Sequence, residues 1–116
     1  MKLPGPDHPI TITPNPRRVK VVFQGQVVAE TTAALTLREA SYPPVQYIPR
    51  ADATMALYAK TERSTHCPYK GDASYYSLPG AGGENAVWSY ETPFPAMAEI
   101  EGHLAFYPNK VEISED

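Results

Sequence analysis

Thr65-His-Cys-Pro-Tyr-Lys-Gly-Asp-Ala-Ser-Tyr-Tyr76 brings a thiol, an imidazole, an amine and three phenols into one short stretch. Cys67 beside a cation such as Lys70 or protonated His66 has the setting of a nucleophile. Neighbouring residues of an extended chain point to opposite faces, however, so His66 and Cys67 need not touch. A Cys–His dyad would need another partner, and His103 is the one the chain offers. The bland alternative for Cys67 is a small buried hydrophobe, a common fate of free cysteine. The catalytic candidates are therefore His66, Cys67 and Lys70. Lys70 would supply a point charge for an anionic group and His66 a proton donor or acceptor.

Aromatics surround these polar groups in the sequence. Tyr69, Tyr75, Tyr76, Trp88 and Tyr90 could wall a ligand pocket on which a few polar side chains converge. The expected ligand-binding set is His66, Tyr69, Lys70, Tyr75, Tyr76 and Trp88. The same aromatics could instead form a core whose hydroxyls are satisfied locally, and both can hold at once. A polar turn buried outright would strand backbone groups, so Thr65–Gly71 is expected at the mouth of a pocket. His66, Lys70 and at least one of Tyr75, Tyr76 or Trp88 should then share one concave region.

Other chemistries find less support. One Cys and three His, without CxxC or HxxxH spacing, give no metal site. Gly80-Ala-Gly-Gly83 lacks the GxxxxGK[ST] pattern and opens no helix, so it reads as a hairpin loop. No cofactor is implied.

The elements that position these residues are short strands. Thirteen prolines among 116 residues leave little room for helices, since each removes a backbone donor and fixes φ. Val19, Val21 and Phe23 alternate with Arg18, Lys20 and Val22, the period of a half-buried strand. Gln24-Gly25 turns that strand into Gln26–Glu30. Further strands are expected at 34–38, 45–48, 55–59, 73–78 and 85–90, with 79–83 looping between the last two. Helical turns are expected at 49–53 and 95–100. Residues 104–107 and 110–114 look like a hairpin around Pro108-Asn109. These elements predict a mainly β, single-domain antiparallel sandwich or partly open barrel with at most two short helices. Val19, Val21, Phe23, Leu35, Leu37, Val87, Phe106 and Val111 are the expected core.

Residues 1–16, with prolines at 4, 6, 9, 14 and 16, read as an extended arm preceding a domain at 17–116. Few backbone hydrogen bonds to its own domain are expected of it, and it is a candidate for pairing two copies in a homodimer. The lone cysteine fits a reducing compartment. No apolar run is long enough to span a membrane, and the opening residues lack the apolar stretch of a signal peptide. Together these predict a cytoplasmic protein. The net charge is −3, with six Lys/Arg against three Asp/Glu in residues 1–50 and four against ten thereafter. That balance disfavours nucleic acid as a partner, because phosphate binding needs a concentrated basic face. Arg17, Arg18 and Lys20 form only a local strip, as edge strands often do.

Three stretches carry a resemblance. The Thr65–Tyr76 segment, Glu84-Asn-Ala-Val-Trp-Ser-Tyr90 and Gly102-His-Leu-Ala-Phe-Tyr-Pro108 resemble the bacterial family called domain of unknown function 427. Arg18–Thr31 is similar to that family's opening and Tyr47-Ile-Pro-Arg50 to its middle, so the resemblance spans roughly 17–114. It implies a compact, mainly β domain and matching positions at His66, Cys67, Tyr69, Lys70, Gly71, Trp88 and Tyr107. It also carries a nucleotidyltransferase-like label. Phosphoryl transfer needs metal-binding carboxylates and a phosphate cradle, and this chain has neither at recognisable spacing. Three functions of different class follow: a small-molecule binding domain, an enzyme using Cys67 or His66 with Lys70, and an interaction module without a ligand.

Overall fold

A computed structural model describes residues 1–116. Ten strands follow in order: β1 (Ile10–Asn15), β2 (Val19–Phe23), β3 (Gln26–Thr31), β4 (Ala34–Glu39), β5 (Val45–Tyr47), β6 (Ala59–Cys67), β7 (Gly71–Ser77), β8 (Val87–Ser89), β9 (Ala105–Phe106) and β10 (Glu112–Glu115). They form three antiparallel sheets, ordered β1-β4-β5, β10-β2-β3 and β6-β7-β8-β9. No barrel closes. The only helical segments are 3-10 turns at Arg50–Asp52, Met55–Leu57 and Pro95–Ile100. None is long and apolar enough to cross a membrane.

The β2–β3 hairpin follows from its turn. Gln24 and Gly25 both take positive φ, +50° and +77°, and two such residues match the twist of the flanking strands. The alternation then buries Val19, Val21 and Phe23.

The four-stranded sheet serves two cores because its side chains alternate between its faces. Tyr76, Leu78, Val87 and Phe106 pack with Val19, Val21 and Phe23 in one core. Ala73, Tyr75, Tyr90 and Ala105 pack with Leu37 and Tyr47 in the other. Of the expected core residues only Leu35 is half-buried, on the flank of the second cluster.

The structure corrects the sequence reading at four places. Residues 1–16 are not poor in backbone hydrogen bonds to their own domain: Ile10 to Asn15 pair with Glu39 to Ala34. Pro14 is tolerated there because β1 is an edge strand, where a missing N–H leaves no ladder bond unmade. Residues 104–107 and 110–114 form no hairpin. Instead β10 pairs with β2, Ile113 opposite Val21, once the chain has turned on the Tyr107 carbonyl and buried Val111. Met55–Leu57 is a 3-10 turn rather than a strand, closed by the Tyr58 N–H on the Met55 carbonyl. The nine-residue β6 lies where no strand is expected, since Ala-Lys-Thr-Glu-Arg-Ser-Thr-His-Cys has no apolar face to betray it.

Phe106 is 3% exposed at the centre of the first core. Phe106→Ala should cost about 3–5 kcal/mol in denaturant unfolding through lost contacts and the cavity left behind. A loss under about 1 kcal/mol would mean the ring carries little of the packing.

Candidate functional site

The β6–β7 hairpin pairs Cys67 with Gly71 and turns through Pro68-Tyr69-Lys70. Gly71 sits at φ +111°, a region L side chains avoid, and the Pro93–Phe94 backbone packs against it. The Phe94 N–H donates to the Lys70 carbonyl at 2.9 Å. This turn directs Lys70 inward, where its ammonium pairs with Glu39 at the end of β4. Lys70 Nζ also lies 3.9 Å from Cys67 Sγ and 5.9 Å from the Tyr90 ring centre. Glu39 takes a second partner, His8 Nε2, at 2.7 Å, and the His8 ring stacks on Tyr69 at 4.1 Å. Burial alone would raise the Glu39 carboxyl, but Lys70 and His8 outweigh it and hold the group below its ordinary range.

His66 points the other way. It faces Asp72 across the hairpin, Nδ1 2.8 Å from Oδ1, with its side chain 59% exposed. The expected convergence of His66 with Lys70 is therefore corrected, and strand alternation is the reason. Nor does His103 reach Cys67, since its Nδ1 lies 3.1 Å from the Glu101 carbonyl. No three His, Cys, Asp or Glu side chains gather as a metal site.

Lys70 nevertheless opens on a cavity of about 1000 Å³. Its aromatic wall comprises Tyr47, Tyr75, Trp88, Tyr90 and Tyr107, with Cys67, Lys70 and Glu39 beside them. Trp88 packs on Tyr107 at 4.6 Å between ring centres, meets Tyr47 edge-on at 6.4 Å and donates from Nε1 to the Tyr47 hydroxyl at 3.3 Å. Tyr75 Oη lies 3.0 Å from Thr65 Oγ1 and 3.2 Å from Tyr107 Oη, with the Arg63 guanidinium 4.9 Å from its ring centre. These environments split the phenols. Burial raises Tyr47 and Tyr90 well above the ordinary tyrosine value and pushes Tyr107 up to about 12. Burial also acts on Tyr75, but hydrogen bonds to Thr65 and Tyr107 and the charge of Arg63 bring it below the ordinary value.

Of the sequence candidates, Cys67, Lys70, Tyr75 and Trp88 thus share one cavity. Tyr69 lies outside it, against His8. Tyr76 belongs to the first core and donates to Glu91 Oε2 at 2.5 Å. That carboxylate also receives Arg50 at 3.1 Å and Lys60 at 2.8 Å. Burial would raise Glu91, yet the hydrogen bonds from Lys60 and Tyr76 carry it down to about 2. Sequence reasoning missed Glu39, His8 and Tyr47. A signal for Glu39 existed, because it shares strand parity with Leu35 and Leu37 and so puts a carboxylate on an apolar face.

Residues 11–116 match the family described as a domain of unknown function (DUF427), whose short name is NTP_transf_9, and the chain belongs to that family. No match is found among curated proteins.

Three substitutions test these charge networks. Lys70→Met leaves the half-buried Glu39 carboxylate with His8 as its one remaining partner and should cost about 3 kcal/mol, most of it regained when Glu39→Leu is added. A cost under about 1 kcal/mol would mean that water reaches the pair. Glu91 binds its proton less readily folded than unfolded. Its stabilisation is therefore full above its ordinary 4.5 and is lost as pH falls toward about 2. Thermal melts across pH should show Glu91→Gln less stable at neutral pH and flatter in that acid window. Parallel wild-type and variant curves would contradict the assignment.

Proposed function

We propose that this DUF427 protein binds a small molecule with a flat apolar body and an anionic group in the cavity beside Lys70. The carrying observation is the aromatic wall, with Trp88 and Tyr107 offering stacking surfaces to a space of about 1000 Å³. Sites for small molecules are characteristically concave and apolar, with a few fixed polar groups. The charged lining supports an anion: Arg17, Arg38 and Lys70 stand against Glu39 and Glu115. The Lys70 charge is already matched by Glu39, so the attraction for a ligand falls to Arg17 and Arg38, both exposed and neither forming a salt bridge.

Trp88 is the only tryptophan in the chain, so intrinsic fluorescence reports on the cavity directly. Anilinonaphthalene sulfonate, an anion with a flat naphthalene ring, should bind one to one, quench Trp88 and gain emission by energy transfer. At a hundredfold excess over Kd it should stabilise the fold by about 2.7 kcal/mol. Tyr107→Ala should weaken binding about tenfold. Weak, non-saturating dye binding that leaves Trp88 emission unchanged would refute the reading.

A further inference from the structure

The cavity wall holds phenolic donors that the protein itself leaves unused. No buried side-chain polar atom is left without a partner. The Tyr90 hydroxyl makes no hydrogen bond within the protein, so it is open to the cavity that Tyr90 lines, although the residue as a whole is only 8% exposed. Tyr47, 2% exposed, accepts from Trp88 Nε1 and donates to nothing. The Thr65–Tyr75–Tyr107 chain has three hydroxyl protons for two hydrogen bonds, which leaves one proton unassigned.

The side-chain carboxylates and the Gln46 amide oxygen on the same wall already accept hydrogen bonds. Glu39 holds Lys70 and His8, Gln46 Oε1 receives Asn15 and Thr36, and Glu115 receives Asn15. Besides the exposed guanidinium groups of Arg17 and Arg38, what remains on offer is phenolic O–H.

From this we infer that the cavity recognises a conjugated oxyanion, of the phenolate or enolate type, through the hydroxyls of Tyr90 and Tyr47, with its flat body against Trp88. This rests on the binding reading above and names the ligand class. An anionic oxygen accepts several donors at once, and such hydrogen bonds strengthen where water is excluded. Burial, with Tyr47 and Tyr75 beside it, keeps Tyr90 protonated, and burial does the same for Tyr47. These phenols therefore remain donors at neutral pH. Preorganised donors of this kind favour the ionised form of a ligand over its neutral form. Glu39 is matched by Lys70, and the remaining carboxylate of the wall, Glu115, is outnumbered by the guanidinium groups of Arg17 and Arg38.

The test uses para-nitrophenol, whose ionised form is coloured, and para-nitroanisole, which has the same ring and cannot ionise. Trp88 quenching measures binding of both, and absorbance measures ionisation of the first. The nitrophenolate should bind at least about tenfold tighter than nitroanisole, and the bound nitrophenol should ionise at a pH lower by one unit or more. Tyr90→Phe removes a hydroxyl that bonds to nothing in the protein, so the variant should fold as the wild type does. It should lose about tenfold in nitrophenolate affinity with nitroanisole unchanged. Tyr47→Phe should act in the same direction. Equal affinity for the two probes, or a ratio unmoved by Tyr90→Phe, would overturn the oxyanion assignment while leaving the binding site in place. Failure of both probes to quench Trp88 would overturn the assignment together with the binding reading beneath it.

Discussion

The Lys70–Glu39 ion pair is the constraint on which the rest of the site depends. It joins the β6–β7 turn to the end of β4, and so links the four-stranded sheet to the β1-β4-β5 sheet. Lys70 is 6% exposed, and a charge so placed is costly unless it is paired. Once paired, the two groups fix each other's position. The turn must then hold Lys70 inward, which requires Gly71 at positive φ beneath the Pro93–Phe94 backbone. Glu39 in turn captures His8, and His8 holds Tyr69, so the segment before β1 is tied to the same carboxylate. Such a pair contributes little net stability compared with a well-packed apolar substitute. Its contribution here is geometric, because it sets where the two sheets meet beside the cavity.

Strand alternation then divides the aromatic residues between two tasks. On β7, Tyr75 faces the cavity and Tyr76 the opposite core. Across the sheet their partners follow the same parity, Tyr75 opposite Trp88 and Tyr76 opposite Val87. The outcome is one face whose hydroxyls surround a space and another whose single phenol is bound into the Arg50–Lys60–Glu91 network. Arg50 makes that second face rigid, since it also donates to the Gly102 carbonyl and the Ser89 hydroxyl. The two faces are chemically distinct. One has its charges matched and its hydroxyl engaged, whereas the other keeps phenolic protons in reserve.

The all-strand character and most of the core were legible because they are local. Val19, Val21 and Phe23 alternate, Gln24-Gly25 has the residue types of a tight turn, and prolines exclude helices. Pairings distant in sequence were not legible. β10 leaves the neighbourhood of β9 to pair with β2, and nothing within residues 104–114 encodes that choice. β1 was hidden because its prolines resemble those of an extended arm, and β6 because its polar residues carry no apolar period. Lys70, Cys67, Tyr75 and Trp88, which stand out by residue type and crowding, line one cavity. His66 is close to Lys70 in sequence but not in direction, because strand parity sends it outward to Asp72. Glu39 went unnoticed because its partner lies 31 residues away.

The binding claim can be read at a single atom. The Trp88 indole N–H gives the only tryptophan side-chain resonance in a nitrogen–proton correlation spectrum of this chain. That group donates to Tyr47 at the cavity wall. Titration with para-nitrophenolate should shift this resonance to saturation, together with the backbone amides of Tyr75, Tyr90 and Tyr107. The amides of the β2–β3 hairpin should stay in place. Shifts confined to the His66–Asp72 side of the hairpin, or a Trp88 resonance unmoved at saturating probe, would contradict a ligand site in this cavity.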